Sequence, residues 1–294
     1  TGVQTCALPI SMAVGARNLF NAPFEPLLFE VARAPWPASW WGDDGVAERE
    51  TAALEGLAQL LKTPTAAVIL EPLVQGAGGM AMVRPSFLRA VEGLVRQAGA
   101  LLIADEVLMG FGRSGSLFAS GACGLQPDLM ALSKGLTGGF LPMGVTLASE
   151  ALFQGFHSTN PQHTFFHGHS FTANPLGCVA ALASLALLEA APHRHSTMAE
   201  RHRPHLQRLA EHPMVCRPRL TGCIAAFDLA GEGQGYLSAA GPALQRRVRR
   251  RGVFVRPLGD VVYLLPPLCI DDAQLAHCWD AIAEALDEGM AASG

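Results

Sequence analysis

The sequence predicts an α/β fold, with a large domain built on a mostly parallel sheet and a small C-terminal α/β domain. Three observations lead to this prediction. Short apolar runs recur along the first half of the chain, and each ends in polar residues. A stretch with amphipathic-helix periodicity separates the first two runs, and arginine and histidine become frequent after Pro192. Apolar runs that alternate with amphipathic helices are typical of parallel sheets with crossover helices.

Four apolar runs are the predicted strands of the large domain. They cover residues 66–70, 101–104, 129–132 and 144–148. Strands buried on both faces of a parallel sheet are apolar throughout, and their carboxyl ends meet at one edge of the sheet. The polar residues that follow these runs are therefore expected to share one site.

Two helices are predicted beside this sheet. Residues 85–99 begin with proline, carry apolar side chains at helical spacing and end in glycine, which predicts an amphipathic crossover helix. An alanine-rich helix is predicted from Asn174-Pro175 to about residue 189. Its longest apolar stretch, residues 176–188, is shorter than the roughly 18–20 residues of a membrane span, so a buried helix is expected.

The chain after Pro192 predicts a second domain that alternates helix with strand. The expected elements are a helix over 196–212, a strand over 223–229, a helix over 241–251, paired strands over 253–256 and 261–265, and a helix over 272–287. The predicted domains are residues 11–191 and 192–294. Residues 1–10 resemble the translation of a sequencing adapter and are interpreted as an artefact.

Composition and charge exclude several classes of protein. The 50% of hydrophobic and 16% of charged residues are typical of a globular protein with a large core. A net charge of −4 gives no basic field for nucleic acid. The seven cysteines have no C-x-x-C spacing, which favours reduced thiols in a cytoplasmic protein. The histidines between His193 and His212 lie among arginines, so a solvated helix face is expected there, and no metal site.

An acidic residue and a lysine follow two of the predicted strands. Asp105 ends the second run, and Lys134, one of only two lysines in the chain, follows the third. A lysine amine in a partly desolvated cleft can act as a nucleophile. Pyridoxal phosphate needs this pair, because an amine bonds to its aldehyde and a carboxylate keeps its ring nitrogen protonated. The spacing alone favours a structural salt bridge at a strand edge.

Six motifs occur in an order that resembles one enzyme family. They begin at Glu71 (EPLVQGAGG), Ala104 (ADEV), Gly110 (GFGRSG), Pro127 (PD), Ser133 (SKGLTGG) and His167 (HGHSFTANPL). This series is similar to the class III (ω-amino) aminotransferases of pyridoxal-phosphate fold type I. The resemblance extends from about residue 12 to residue 286, and it implies that fold for the whole of this stretch.

The resemblance implies a cofactor site for pyridoxal 5′-phosphate. Lys134 would bind the cofactor covalently and move a proton, and Asp105 would pair with the ring nitrogen. Val107 would pack on the ring face. Ser170 would give a hydroxyl to the cofactor phosphate of the neighbouring subunit in a homodimer. A serine at this place can instead cap the helix that follows.

The resemblance also implies substrate residues, namely Arg256, Tyr263 and Gly168. A guanidinium on an otherwise apolar strand favours an anion, which a substrate carboxylate supplies in bidentate fashion. An internal salt bridge from Arg256 to Glu71 is the alternative. The members most like this chain aminate 8-amino-7-oxononanoate in biotin synthesis, with adenosylmethionine as the expected donor. Ornithine, 4-aminobutyrate and β-alanine remain alternative substrates.

Two further interpretations remain at this point. The family's glycine-serine helix start, which holds the cofactor phosphate, and its ring-stacking aromatic residue are not found, so a fragment that lacks about a third of the enzyme is expected. Such a fragment is expected to be inactive alone, or to be a partial domain without function. The glycines of GFGRSG also match the G-x-G-x-x-G dinucleotide fingerprint, but no convincing helix follows them, which disfavours a nucleotide site.

Overall fold

A computed structural model describes residues 12–15, 21–231, 235 and 238–291. The suspected adapter segment, residues 1–10 with Cys6, lies outside these residues. The strands are β1 (Ala67–Leu70), β2 (Val74–Gln75), β3 (Ala81–Met82), β4 (Leu101–Asp105), β5 (Leu129–Leu132), β6 (Val145–Ala148), β7 (Val215–Thr221), β8 (Ile224–Leu229) and β9 (Val261–Leu264). The helices are α1 (Val46–Leu60), α2 (Pro85–Gln97), α3 (Ala119–Cys123), α4 (Glu150–Phe156), α5 (Pro175–Ala190), α6 (His193–Ser196), α7 (Met198–Ala210), α8 (Ala240–Arg250) and α9 (Asp272–Ala291).

The large sheet has the order β1-β4-β5-β6, and its first three strands are parallel. Helix α2 makes the crossover from β1 to β4, as its sequence predicts. It starts at Pro85 and buries Phe87, Leu88, Val91 and Val95 on one face. The expectation that the fourth strand is parallel and buried is wrong, because β6 is antiparallel to β5 and largely exposed. The connection between them holds only a short 3-10 turn, and a parallel return needs a longer crossover.

The small antiparallel sheet has the order β7-β8-β9, with α7, α8 and α9 against it. Strand β8 is buried on both faces. Ile224 and Ala226 belong to the core that α2 also enters, whereas Ala225, Phe227 and Leu229 belong to the core around α9. Alternate side chains of one strand thus join two hydrophobic cores.

The strands predicted for the C-terminal part need two corrections. Residues 253–256 are not a hydrogen-bonded strand, and β9 pairs with β8 instead of with them. Strand β7 was not expected, because Arg217, Pro218 and Arg219 interrupt its apolar pattern at an irregularity in its pairing with β8. Arg219 is nevertheless buried, and its guanidinium donates to the Gly79 and Met80 carbonyls.

The expectation that residues 176–188 form a buried helix is wrong. Only Gly177 and Ala181 of α5 are buried, and Leu176, Leu182 and Leu187 are each 68% exposed. A helix that is apolar on every side gives no periodicity from which its packed face can be read. No single helix of the described part of the chain is long and apolar enough to cross a bilayer. The segments Pro175–Ala190 and His193–Ala210 pass that test only as a pair, bent by 72°.

The expected solvated histidine face is also wrong for two of its members. His195 is buried and contacts Gly112, and His202 is fully buried beside Trp279. The Trp279 indole N–H donates to His202 Nδ1 at 3.2 Å. Helix α7 packs on the small-domain core, and His195 of α6 lies against the Gly110–Gly115 loop, so these two histidines are buried despite the arginines around them.

We expect His202 to make the chain sensitive to acid. Burial, reinforced by the Arg201 charge, lowers the pKa of His202 from 6.5 to about 4. Between pH 6.5 and pH 4, His202 therefore binds a proton in the unfolded chain and stays neutral in the folded chain. The contribution of neutral His202 to the free energy of unfolding is fully present above pH 6.5 and is lost as the pH falls towards 4. The loss between pH 7 and pH 5 is about 2 kcal/mol.

Denaturant unfolding of wild type and His202→Gln at these two pH values measures this loss. The variant should lose much less stability than wild type on acidification. His193→Gln is the control, because His193 is exposed, and it should keep the wild-type pH dependence. Equal pH dependence in wild type and His202→Gln would contradict the assignment.

Candidate active site

Three ionisable residues lie in a row at the carboxyl ends of the parallel strands. Glu71 follows β1, Asp105 ends β4, and Lys134 lies two residues beyond β5. Leu70 pairs with Ala104, so Glu71 and Asp105 stand at the same level of the sheet. The predicted convergence of polar residues at this edge is what the strand register produces.

Asp105 and Glu106 are adjacent carboxylates with different partners. Asp105 is half-buried, and its Oδ1 accepts the backbone N–H of Val107 at 3.0 Å. Glu106 is fully buried and accepts the N–H groups of Ala119 and Ser120 at 2.9 and 2.6 Å. Glu106 thus anchors the start of α3, where a carboxylate satisfies N–H groups that lack helical partners. The carboxylate of Asp105, in contrast, remains available at the candidate site.

Lys134 has a left-handed backbone, with φ of 45°, and begins the 3-10 turn Lys134–Thr137. Its side chain is exposed. Within the described residues no carboxylate lies within 4 Å of its amine, so the direct salt bridge to Asp105 that the spacing allowed is not formed. Non-glycine residues adopt this backbone at a cost, and such strain is concentrated at functional sites.

Glu71 completes the row, as expected for the residue that directly follows the first apolar run. Its Oε2 accepts the Gly76 N–H at 3.0 Å. Burial raises the pKa of Glu71 above its ordinary value; Asp105 raises it further, while the Gly76 N–H and Lys134 lower it. A Cβ on Gly76 would lie 2.2 Å from Leu108 Cδ2, so a larger residue here would have to displace the end of the Leu108 side chain.

The Gly110–Gly115 loop connects the site to the small domain. The Arg113 carbonyl accepts the Cys223 N–H at 2.9 Å, and the Arg113 guanidinium donates to the Pro266 carbonyl at 2.6 Å. His195 Nδ1 lies 3.1 Å from the Gly115 oxygen. Successive turns follow, and not the helix that a dinucleotide fingerprint requires, which agrees with the interpretation that this is not such a site.

Only some of the remaining predicted site residues lie near this row. Val107 is half-buried next to Asp105, and Tyr263 is half-buried on β9 against the large-domain core. Gly168, Ser170 and Arg256 are exposed, and the structure records no contact of theirs with the row. The helix cap that Ser170 could have provided is made by another residue, because the side chain of Asn174 accepts the Leu176 N–H at 3.1 Å.

A cavity of about 750 Å³ lies elsewhere, along the edge strand β1. Apolar side chains of α1 and of residues 29–36 line it, and neither Asp105 nor Lys134 does. This cavity is therefore not the candidate site, which is identified by the ionisable side chains of Glu71, Asp105 and Lys134.

Comparison with known proteins decides the family. The sequence profile described as Aminotransferase class-III matches residues 8–286. This chain belongs to the class-III aminotransferases. The family and the pyridoxal-phosphate fold that the motifs suggested are thereby confirmed.

Two curated relatives of this class-III chain share one name. The adenosylmethionine-8-amino-7-oxononanoate aminotransferase of Synechococcus elongatus is 54% identical over 95% of this chain and 66% of its own length. That of Geobacter sulfurreducens is 37% identical over 94% of this chain and 64% of its own. The chain thus spans about two thirds of the length of these relatives.

Solved structures show the same fold. The enzyme of this name from Methanocaldococcus jannaschii aligns with a TM-score of 0.83 at 29% identity, over 95% of this chain and 65% of its own. A structure described as a transaminase with L-ala aligns with a TM-score of 0.88 at 27% identity, over 97% of this chain and 70% of its own.

The class-III family depends on pyridoxal phosphate, and the residues of the row fit this group. The cofactor has an aldehyde, a basic ring nitrogen and a flat apolar ring. Among the residues that the structure describes, Lys134 offers an amine without an ion pair, Asp105 offers a carboxylate that accepts a hydrogen bond through one oxygen, and the apolar Val107 lies beside it. Each chemical feature of the cofactor therefore has a matching side chain at this sheet edge.

Proposed function

We propose that the protein is a pyridoxal-phosphate-dependent aminotransferase that converts 8-amino-7-oxononanoate to 7,8-diaminononanoate, with adenosylmethionine as amino donor, in biotin synthesis. One observation carries the proposal. Lys134 and Asp105 lie at one sheet edge without pairing with each other, in a chain 54% identical to a relative of that name. Another class-III ω-aminotransferase activity is the second candidate, supported by the likeness to the transaminase structures.

The residues of the row have distinct roles in this proposal. When bound, pyridoxal phosphate supplies an aldehyde that bonds to amines and a ring that accepts electrons. Lys134 would hold the cofactor, and its amine, once released, would carry a proton between two carbon atoms as general base. Asp105 would keep a proton on the ring nitrogen. Val107 would pack on the ring, where an apolar side chain excludes water.

Substrate recognition is proposed for Arg256, Tyr263 and Gly168. Arg256 is exposed and forms no ion pair within the described residues, so the alternative salt bridge to Glu71 is not formed. A free guanidinium can bind the carboxylate at the far end of an aliphatic keto substrate. Tyr263 would line the same path.

We also propose a cytoplasmic homodimer with domains at residues 11–191 and 192–294. The described cysteines are all free, as is usual in a reducing compartment. Large apolar side chains between residues 140 and 187 are exposed, including Phe140 at 84% and Phe166 at 85%. Apolar surface on this scale marks a protein interface. A second copy there would bring its own Ser170 towards the cofactor phosphate.

Reduction with borohydride of the cofactor-loaded protein is the primary test; this and the kinetic tests use the chain extended to the length of the relatives that it matches, because the fragment alone is expected to be inactive. We expect pyridoxal phosphate to give a visible absorbance band and reduction to fix it to Lys134, because that amine alone stands beside Asp105. Peptide mapping distinguishes it from Lys62, the only other lysine. Label on Lys62, or no label, would refute the proposal. Asp105→Asn should keep the label but lose most activity, since an amide cannot hold the ring nitrogen protonated.

Arg256→Ala tests the substrate. We expect it to raise KM for 8-amino-7-oxononanoate about tenfold and to change KM for adenosylmethionine much less, because the oxononanoate loses its charge-assisted contact. Arg246→Ala, on the exposed face of α8, is the matched control and should leave both values unchanged. Steady-state kinetics decides the matter. Turnover of 4-aminobutyrate or ornithine in place of the oxononanoate would favour the second candidate.

Leu182→Arg tests the dimer. Leu182 lies on the exposed apolar side of α5, and a buried arginine without a partner would separate the subunits. Sedimentation velocity should show a dimer for wild type and a monomer for the variant, with weaker cofactor binding because the neighbour's Ser170 is lost. Phe254→Arg, equally exposed in the small domain, should remain dimeric. A monomeric wild type would exclude the shared site.

A further inference from the structure

The ring of Phe111 lies against the peptide that follows Lys134. A Cβ built on Gly135 would lie 2.8 Å from the Phe111 Cβ and 3.2 Å from its Cδ2. Contacts as short as 2.8 Å essentially never occur for real Cβ atoms, so position 135 accepts only glycine while Phe111 stays in place. Phe111 is 4% exposed and shares a small core with Leu132 and Leu136, which lie two residues before and two residues after Lys134.

The Lys134 turn is supported from a second side by α5. The Ser184 hydroxyl donates to the Gly135 carbonyl at 3.0 Å. Within the turn, the Gly139 N–H donates to the Lys134 carbonyl at 3.2 Å. The Gly135 peptide therefore lies between an aromatic ring and a hydroxyl, and these two contacts set where the Lys134 Cα stands.

Phe111 is itself held firmly. Its backbone is left-handed, with φ of 57°, so two non-glycine residues in this costly conformation, Phe111 and Lys134, flank one contact. Its ring packs edge-to-face on Phe118, with centroids 5.6 Å apart and planes at 72°. The next residue, Gly112, packs on His195, and the Gly112 carbonyl lies 3.3 Å from the Cys223 sulfur. The Phe111 ring thus belongs to the same loop that holds the small domain.

We propose that Phe111 is a positioning residue for Lys134. Its ring fixes the turn from which the lysine side chain projects and ties that turn to the small domain through the Gly110–Gly115 loop. The inference rests on the proposed function, in which Lys134 binds the cofactor. It assigns to the GFGRSG motif a task that neither the dinucleotide interpretation nor the cofactor residues account for.

A pair of matched variants of the 294-residue chain tests this inference. Phe111→Ala and Phe118→Ala each remove one ring of the same edge-to-face pair, but the three atoms nearest to a Cβ at position 135 all belong to Phe111. Three quantities are measured: the melting temperature, the hydrogen–deuterium exchange of residues 133–139 without cofactor, and the dissociation constant of pyridoxal phosphate from its visible absorbance. Phe111→Leu, which retains a buried side chain, serves if Phe111→Ala does not fold.

We expect both alanine variants to melt earlier. Only Phe111→Ala should exchange residues 133–139 faster and bind pyridoxal phosphate about tenfold more weakly, because displacement of a reactive group by about 1 Å has effects of this size or larger. Phe111→Leu should lie between wild type and Phe111→Ala. Equal effects of the two alanine variants on exchange and binding, or unchanged exchange in Phe111→Ala, would overturn the inference.

The two proposals fail in different ways. A wild-type chain that does not bind pyridoxal phosphate at Lys134 refutes the proposed function. The exchange of residues 133–139 is measured without cofactor, so it still decides whether Phe111 holds the turn.

Discussion

The backbone contact between the Gly110–Gly115 loop and the turn before β8 fixes how the two parts of the molecule meet. A Cβ on Gly222 would lie 2.2 Å from the Ser114 carbonyl carbon and 2.6 Å from the Gly115 nitrogen, so main chain packs directly on main chain. Such a contact depends on no side-chain rotamer. It sets the distance between the sheet edge that carries Lys134 and the strand that carries Tyr263. Strand β8 then continues from this contact into both hydrophobic cores.

At the carboxyl edge of the large sheet, the adjacent residues Asp105 and Glu106 have different roles. Consecutive side chains at a strand end point to opposite sides, so Asp105 faces the site while Glu106 enters the core and holds α3. One residue of shift would exchange these roles and leave an unpaired carboxylate in the core. The pairing of Asp105 with Ala131 therefore determines which carboxylate is available to the cofactor.

The sequence predicted the features that local patterns encode. Helix α2 followed from its proline, its apolar spacing and its glycine, and the row at the sheet edge followed from where the apolar runs end. Features that depend on distant parts of the chain were missed. The direction of β6 depends on the connection before it, and the exposure of α5 depends on what packs against an all-apolar helix. The burial of His202 depends on Trp279, 77 residues away, which no local pattern reveals.

In the candidate site, too, local patterns predicted some features and long-range contacts determined the others. Asp105, Lys134 and Glu71 stand out because they follow apolar runs, but the finding that Glu71 stands at the level of Asp105 required the register of two strands. The contact of Phe111 with Gly135 required the folding of two turns onto each other. Sequence motifs showed that GFGRSG is unusual without showing what it contacts, because glycines mark close approach and do not identify the neighbour.

The left-handed backbone at position 134 is a conformation of high energy for lysine. A lysine in this conformation costs about 1–2 kcal/mol relative to one with negative φ, whereas glycine or asparagine tolerates it well. Replacement of the lysine by glycine would therefore relieve conformational strain while abolishing its amine. If the proposed role of Lys134 holds, the folded state keeps a less stable residue here for its amine, and selection for thermostability alone would drive the sequence away from lysine.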